Sequence, residues 1–264
     1  MNIGFIGCGN MGRAMISGML GRNAVQPGQL MVADASQDAA ASIAAAWGLR
    51  TGADNKEVAD WSDILFLAVK PNVLQSVILD IAEAVDAHTV VVTLAPGKTL
   101  AWIQECFARP VRLIRTMPNT PALAGEGMTA LCPNDLTEEA DLQTVVTLLQ
   151  SFSRTAVIPE TLMDVATGVS GSSPAYVFMF IEALADAAVL EGMARAQAYE
   201  FAAQTVYGSA KLMLETGKHP GELKDMVCSP GGTTIEAVRV LEEKGFRSAV
   251  IDATKACIEK SRAL

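Results

Sequence analysis

The sequence predicts an α/β fold with a doubly wound, mostly parallel sheet, followed by an all-α domain. Through the first 160 residues, short apolar runs alternate with stretches of helical periodicity, and strands in such an alternation usually pair in parallel. After Pro159 no strand pattern recurs, and the chain is rich in Ala, Leu and Met. We therefore predict two domains, at residues 1–160 and 161–264.

The elements of the first domain follow from its apolar runs and turn residues. A proline is tolerated at a helix start, so Pro71 marks the beginning of one helix. Strands are predicted at residues 2–6, 30–33, 63–69, 89–94, 111–115 and 155–158. Helices are predicted at residues 10–22, at 36–47, from Pro71 onward and between the last three strands.

The second domain is predicted to consist of helices that need a partner. They are placed at residues 174–193, 195–215, 221–227, 234–244 and 248–262, with Gly192, Gly217 and Gly245 as stop signals. Several are apolar over most of their circumference, as at residues 176–181. A domain of about a hundred residues has little room to bury so many helices, so we expect an intertwined dimer.

The composition excludes several classes of protein. A net charge of −9 repels nucleic acid and anionic membranes, so neither is expected as a partner. Five scattered cysteines without C-x-x-C spacing, and two histidines, predict neither a disulfide framework nor a metal site. The apolar runs are shorter than a membrane span, and the N terminus leads directly into a strand without a signal core. A cytoplasmic protein is expected.

A glycine-rich loop follows the first predicted strand and opens the first predicted helix. Residues 7–12 read Gly-Cys-Gly-Asn-Met-Gly, the G-x-G-x-x-G pattern of a dinucleotide-binding Rossmann domain. In this pattern the first glycine permits a tight turn, the second lets a pyrophosphate approach the backbone, and the third lets the helix pack on the strand. The pyrophosphate would accept hydrogen bonds from N–H groups at the helix start.

Asp34, at the end of the second strand, has two interpretations. An acidic residue there accepts hydrogen bonds from the adenosine ribose and repels a 2′-phosphate, which favours NADH. Alternatively, Asp34 and Ser36 cap the helix that follows. The sequence leaves NADH against NADPH open.

Other strand ends are candidate walls of the same crevice. Residues 68–71 and 95–97 follow the third and fourth predicted strands, and Lys70 is either a phosphate or ribose contact or an exposed lysine at a helix start. Residues 115–121 carry two prolines that stiffen a loop containing Asn119 and Thr120, which suits a rigid pocket wall. Met117 is interpreted as packing.

Two clusters of small residues lie in the second domain. Residues 168–176 either allow a close backbone approach or form a helix cap with Pro174 in the first turn. Residues 229–236, Ser-Pro-Gly-Gly-Thr-Thr-Ile-Glu, lead into a helix start whose free N–H groups favour an anion. Thr233 with Glu236 also fits a capping box, but such a box requires neither the two glycines nor the additional hydroxyls. We favour a carboxylate-binding site.

Together these motifs resemble the pyrroline-5-carboxylate reductases, which form L-proline in the last step of its biosynthesis. The resemblance covers essentially the whole chain. The matching motifs are residues 4–12 (GFIGCGNMG), 66–71 (FLAVKP), 115–121 (RTMPNTP), 169–176 (VSGSSPAY), 219–225 (HPGELKD) and 229–235 (SPGGTTI). The first motif is shared by many dehydrogenases, and the last is specific to this family.

The resemblance implies a role for each matched residue. The pyrophosphate would lie at Ile6, Gly7, Cys8, Gly9, Asn10 and Met11, the adenosine ribose near Asp34 and Asn55, and the nicotinamide near Ala68, Val69, Lys70, Pro71, Ala95, Pro96 and Gly97. The substrate carboxylate would lie at Ser229, Gly232, Thr233 and Thr234, with the catalytic hydroxyl of Thr234 beside the ring nitrogen.

The resemblance also implies NADPH or NADH as cofactor, no metal, and a homodimer through the helical domain, with larger rings such as a decamer of dimers in this family. Asp34 is a departure, because members that use NADPH tend to carry a small or neutral residue there. It puts the NADPH preference in doubt and leaves the reaction unaffected.

Two other functions compete with this interpretation. A β-hydroxyacid dehydrogenase has a similar plan but needs a lysine as general base, usually nine positions after the first glycine of a G-x-x-G-x-G segment. Counting from Gly168, that position is Val177. A dinucleotide-sensing protein or oligomeric scaffold would explain the glycine loop and the apolar helices. It would leave the cluster at residues 229–234 without a role.

Overall fold

The structure, a computed structural model, describes residues 1–263, and Leu264, the last residue of the predicted second domain, lies outside them. The chain divides into two compact units. The first comprises Met1–Ser172 with the described residues from Cys257 onward, and the second is Ser173–Ala256. The domain division at residue 160 remains a prediction.

An eight-stranded sheet forms the centre of the first unit. Its strands are β1 (Ile3–Ile6), β2 (Leu30–Ala33), β3 (Arg50–Thr51), β4 (Ile64–Leu67), β5 (Val90–Thr93), β6 (Arg112–Met117), β7 (Gly127–Pro133) and β8 (Ser153–Val157). Their order across the sheet is β3-β2-β1-β4-β5-β6-β7-β8. The first six are parallel, and β7 is antiparallel to β6. The order reverses between β1 and β4, where ligands bind in sheets of this kind.

The helices of the first unit cover both faces of the sheet. They are α1 (Asn10–Gly21), α2 (Gln37–Trp47), α3 (Asn55–Trp61), α4 (Pro71–Ile81), α5 (Leu100–Phe107), α6 (Glu139–Leu149) and the short α7 (Met163–Ala166), which continues into a π-helical turn, Thr167–Gly171. Two buried apolar clusters lie on opposite faces, and Phe5 stacks on Phe66 in one of them at a ring separation of 4.6 Å.

The second unit is helical, as predicted. It contains α8 (Pro174–Leu190), α9 (Arg195–Thr216), α10 (Pro220–Val227), α11 (Thr233–Glu243) and most of α12 (Phe246–Arg262). Gly192, Gly217 and Gly245 all have positive φ near helix ends, which confirms them as stop signals.

All six predicted strands are present, but the prediction omitted four elements, β3, β7, α3 and the short α7. Strand β3 has two residues, too few to form a pattern. Strand β7 lies in a stretch for which no element was predicted, and it forms a strand by pairing with β6 and β8. Such long-range pairing overrides weak local preference.

The second unit buries very little apolar surface in a single chain. Among its described residues, the buried cluster consists of Ala185, Ala198 and Ala202. By contrast, Phe178 is 63% exposed and Met179 is 68% exposed, both on α8. By length and composition alone, the stretch Glu160–Leu190 is long and apolar enough to cross a membrane, although the sequence predicted no run of that length. Core helices of soluble proteins meet the same criterion. An exposed patch of this kind also marks an interface between proteins.

Candidate active site

The glycine loop between β1 and α1 has the geometry that a dinucleotide requires. Gly7 has a φ of +101°, and a Cβ added there would lie 2.6 Å from the carbonyl oxygen of Ala68. A Cβ on Gly12 would lie 2.6 Å from the carbonyl oxygen of Gly7, so this glycine lets the helix pack closely. A Cβ on Gly9 would meet no heavy atom within 4 Å, so its backbone is open to a ligand.

The six residues predicted at the pyrophosphate differ in whether their backbone N–H groups already have hydrogen-bond partners within the protein. Ile6 lies buried within β1. The N–H of Gly7 donates to the carbonyl oxygen of Ala33 at 2.8 Å, and the N–H of Cys8 donates to Asp34 Oδ2 at 2.7 Å. The remaining three, Gly9 to Met11, form the start of α1, which no side chain caps. The first N–H groups of a helix have no intrahelical partners, so these three residues fit an anion.

The thiol of Cys8 stays neutral in this loop. Burial raises its pKa from 9.0 to about 11, and the neighbouring Asp34 carboxylate adds to the shift. A neutral thiol adds no negative charge beside a pyrophosphate.

Asp34 and Asn55, both predicted at the adenosine ribose, line one cleft of about 460 Å³. Asn55 is the first residue of α3, and its amide donates to Asp80 Oδ2 at 3.3 Å. The alternative interpretation of Asp34 as a cap is partly realised, because its Oδ1 accepts from the N–H of Ser36 at 2.9 Å. The helix cap itself is Ser36, whose hydroxyl accepts from the N–H of Ala39.

The ends of β4 and β5 carry the residues predicted at the nicotinamide. Ala68 lies against Gly7, so this strand end adjoins the glycine loop. Lys70 is the exposed N-cap residue of α4, and Pro71 is its first residue, as predicted. After β5, Ala95 is buried, Pro96 is half-buried, and Gly97 turns the chain with a φ of +72°. Both turns lie at the carboxyl edge of the sheet, next to the point where its order reverses.

The side chain of Asn119 attaches the loop after β6 to two neighbouring segments by hydrogen bonds. The amide of Asn119 donates to the carbonyl oxygen of Ser170 at 3.0 Å and accepts from the N–H of Met128 at 2.9 Å. Met117 packs against Gly171 so closely that a Cβ there would clash. The small residues at 168–171 thus allow a close backbone approach, whereas Pro174 occupies the start of α8. The position of Pro174 in the first turn is therefore as predicted, whereas α8 begins without a side-chain cap hydrogen bond.

The cluster at residues 229–234 forms an uncapped helix start. Gly231 has a φ of +66°, and the N–H of Gly232 donates to the carbonyl oxygen of Ser229 at 3.0 Å. Gly232 is the N-cap residue of α11, without a side-chain cap, and Thr233 and Thr234 are its first residues. The capping box considered from the sequence is not formed, because the Glu236 carboxylate pairs with Arg239 at 2.7 Å. The free N–H groups remain for an anion.

Two charged contacts were missed from the sequence. Arg115, predicted only as the start of a loop motif, is buried and forms ion pairs with Glu160 at 3.2 Å and Asp164 at 3.6 Å. Asp80, the next-to-last residue of α4, lies beside Asn55. Each of these contacts joins residues at least 25 positions apart in the chain, so no local sequence signal could have found it. Among residues 1–263 there is no group of three His, Cys, Asp or Glu side chains that could hold a metal ion.

Comparison with known proteins agrees with this geometry. The family described as "Pyrroline-5-carboxylate reductase dimerisation" matches residues 160–264, and "NADP oxidoreductase coenzyme F420-dependent" matches residues 2–97. The pyrroline-5-carboxylate reductase of Escherichia coli K12 is 53% identical over 99% of this chain and 97% of its own length. That of Methanosarcina acetivorans is 41% identical over the same shares of the two chains.

Solved structures extend the comparison. The pyrroline carboxylate reductase of Plasmodium falciparum, solved with NADP bound, is 32% identical, with a TM-score of 0.91 over 100% of this chain and 97% of its own. The parallel sheet and glycine loop define an NAD(P)-dependent oxidoreductase of the Rossmann type. Within that class, the chain belongs to the pyrroline-5-carboxylate reductase family.

One rival considered from the sequence shares the fold alone. The 3-hydroxyisobutyrate dehydrogenase of Mycobacterium tuberculosis is 17% identical, with a TM-score of 0.53 over 72% of this chain. The position where such an enzyme would need its lysine is Val177, on α8, which cannot accept a proton.

Proposed function

We propose that this protein reduces L-1-pyrroline-5-carboxylate to L-proline, the final step of proline biosynthesis, with NADH or NADPH as the hydride donor. The observation that carries the proposal is the uncapped start of α11. Its free N–H groups and the hydroxyls of Thr233 and Thr234 suit a small carboxylate. Neither a dinucleotide sensor nor a scaffold needs such a site.

The substrate residues are proposed from the geometry of that helix start. Ser229, Gly232, Thr233 and Thr234 would hold the carboxylate, which is favoured by the positive end of the helix dipole. The positive φ of Gly231 supports this role, since it folds the chain back so that Ser229 lies next to Gly232. The turn brings backbone and hydroxyl donors together.

The cofactor residues are proposed at the carboxyl edge of the sheet. The pyrophosphate would lie along the loop of residues 6–11, mainly on the helix-start residues Gly9, Asn10 and Met11. Asp34 and Asn55 would hold the adenosine ribose in the cleft that they line. Residues 68–71 and 95–97 would form the nicotinamide side.

The chemistry asks for positioning more than for strong acid catalysis. The nicotinamide supplies a hydride to the C=N carbon, and the ring nitrogen, protonated in the imine, becomes a secondary amine. The protonated imine is already electrophilic, and orientation alone contributes about 7–11 kcal/mol to such a step. Thr234 would hydrogen-bond the ring nitrogen and help to deliver its proton. This explains catalysis by a chain with two histidines.

The assembly proposed is a homodimer through the helical unit. The exposed apolar side chains of α8 and the three-alanine buried cluster support it, because these helices need a second surface to cover them. We extend the proposal to a decamer of dimers, to a domain division at residues 1–160 and 161–264, and to a location in the cytoplasm. The net charge of −9 supports the absence of nucleic-acid and membrane partners.

The proposal is tested by following NADH or NADPH absorbance with the purified protein. Addition of pyrroline-5-carboxylate is expected to cause oxidation of the cofactor with one proline formed for each cofactor consumed. A β-hydroxyacid in the presence of NAD⁺ or NADP⁺ serves as the comparison and is expected to give no reduction. Cofactor binding without turnover of pyrroline-5-carboxylate would leave a sensor and reject the reductase.

A further inference from the structure

The carboxylate of Asp34 is held in one orientation by two backbone groups. Its Oδ2 accepts from the N–H of Cys8 at 2.7 Å, and its Oδ1 accepts from the N–H of Ser36 at 2.9 Å. Turning the carboxylate away would leave both N–H groups without this partner. Asp34 therefore stays at the end of β2, beside the glycine loop.

A fixed carboxylate still has room for further donors. The two oxygens of a carboxylate offer about four acceptor positions, of which these backbone groups use two. Ribose hydroxyls can donate to the others. A 2′-phosphate cannot, because at neutral pH it carries negative charge and acts as an acceptor.

The cleft around Asp34 offers no compensating positive charge. Its lining includes three carboxylates, Asp34, Asp54 and Asp80, and no lysine or arginine. Two cations beside the cleft already have other partners. Lys56 pairs with Asp80 at 3.5 Å, and Arg13 Nε donates to the carbonyl oxygen of Cys8 at 3.0 Å. A phosphate placed in this cleft would meet three carboxylates and no lysine or arginine among the residues that line it.

We propose that Asp34 makes this enzyme prefer NADH over NADPH, by accepting the ribose hydroxyls and repelling a 2′-phosphate in a cleft lined by carboxylates. The inference rests on the proposed dinucleotide site and adds its specificity. Asp34 acts as the discriminating residue because it is the one of the three carboxylates that adjoins the glycine loop through a direct hydrogen bond.

The test measures binding separately from catalysis. Dissociation constants of NAD⁺ and NADP⁺ are determined by calorimetry on the full-length protein and on three variants. Asp34→Ser removes the carboxylate. Asp34→Asn removes only the charge and keeps one acceptor oxygen, so it remains informative if the serine variant fails to fold. Asp38→Asn removes the same charge from an exposed position on α2 outside the cleft and serves as the matched control.

The wild-type protein is expected to bind NAD⁺ more tightly than NADP⁺. The Asp34 variants should shift the ratio of the two constants toward NADP⁺ by about tenfold or more, since like charges in contact are strongly unfavourable. Asp38→Asn should leave the ratio unchanged. The ratio of kcat/KM for NADH and NADPH with pyrroline-5-carboxylate should move in parallel.

Two results would overturn the proposal: wild-type protein that binds NADP⁺ at least as tightly as NAD⁺, or folded Asp34 variants whose ratio equals that of the wild type. Failure of the reductase proposal looks different. In that case both dinucleotides bind, with the ratio set by Asp34, and pyrroline-5-carboxylate is not reduced.

Discussion

Arg115 on β6 forms an ion pair with Glu160 at 3.2 Å while only 4% of the Arg115 side chain is exposed. The same glutamate oxygen accepts from the N–H of Leu100 at the start of α5, at 2.7 Å. The second partner of Arg115, Asp164, accepts from the hydroxyl of Ser261 at 2.8 Å. One buried cation thus joins the sheet to α5, to the segment after β8 and to the end of α12.

We expect Arg115→Met to destabilise the first unit. The substitution keeps an unbranched, flexible side chain but leaves two carboxylates without their cation. Breaking a buried pair costs about 3–5 kcal/mol, and the lower end applies because Glu160 is one-third exposed. Urea unfolding should show a lower midpoint. Arg239→Met, which breaks two exposed ion pairs on α11, is the control and should leave the midpoint close to that of the wild type. Equal effects of the two substitutions would contradict the structural role of Arg115.

We expect Gly9→Ala to preserve the fold and weaken dinucleotide binding. Gly9 has a φ of −68°, which alanine adopts without strain, and its Cβ would meet no protein atom. The added methyl would occupy the space that the pyrophosphate needs, so affinity should fall by about tenfold or more. Thermal unfolding and calorimetry with NAD⁺ measure the two properties separately.

Gly21→Ala, at the other end of α1, is the control for the glycine loop. Its Cβ also meets nothing within 4 Å, so both stability and affinity should stay near those of the wild type. If Gly9→Ala bound NAD⁺ as tightly as the wild type, the proposal that the pyrophosphate binds at this loop would be wrong.

We expect Thr234→Val to lower kcat more than it raises KM for pyrroline-5-carboxylate. Valine keeps the shape but removes the hydroxyl proposed to bond the ring nitrogen, and the loss of a proton-transfer group costs about 10²–10⁴-fold. Thr234→Ser should recover most of the rate. Thr147→Val, at an exposed position on α6, should leave the kinetics unchanged. A normal kcat in Thr234→Val would exclude the hydroxyl from catalysis.

We expect Met179→Lys to dissociate the proposed dimer. Met179 is 68% exposed on α8 in the single chain, so a buried charge would appear only in an assembly. Because the second unit has a small buried cluster, its helices should also lose stability on dissociation. Sedimentation velocity measures the mass, and circular dichroism the helix content. Leu79→Lys, on α4 and 63% exposed, is the matched control. A dimer that survives Met179→Lys would place the interface elsewhere.

The parts of the fold that sequence could predict depend on neighbours along the chain. The roles of Gly7, Gly9 and Gly12 follow from a strand, a turn and a helix start that are continuous in sequence, and the structure has these glycines in those places. The uncapped start of α11 was also visible locally, although the choice between Glu236 as a capping residue and as a partner of Arg239 was not.

The amino-acid order alone therefore established the two-part α/β and α architecture, the glycine loop and the helix stops, because backbone conformation responds to residues only a few positions away. Folding in three dimensions decided that β7 pairs with β6, that Asp34 bonds Cys8, and that Arg115 is buried between Glu160 and Asp164. These partners are separated by 13 to 49 residues. No local pattern specifies which distant group a strand edge or a carboxylate will meet.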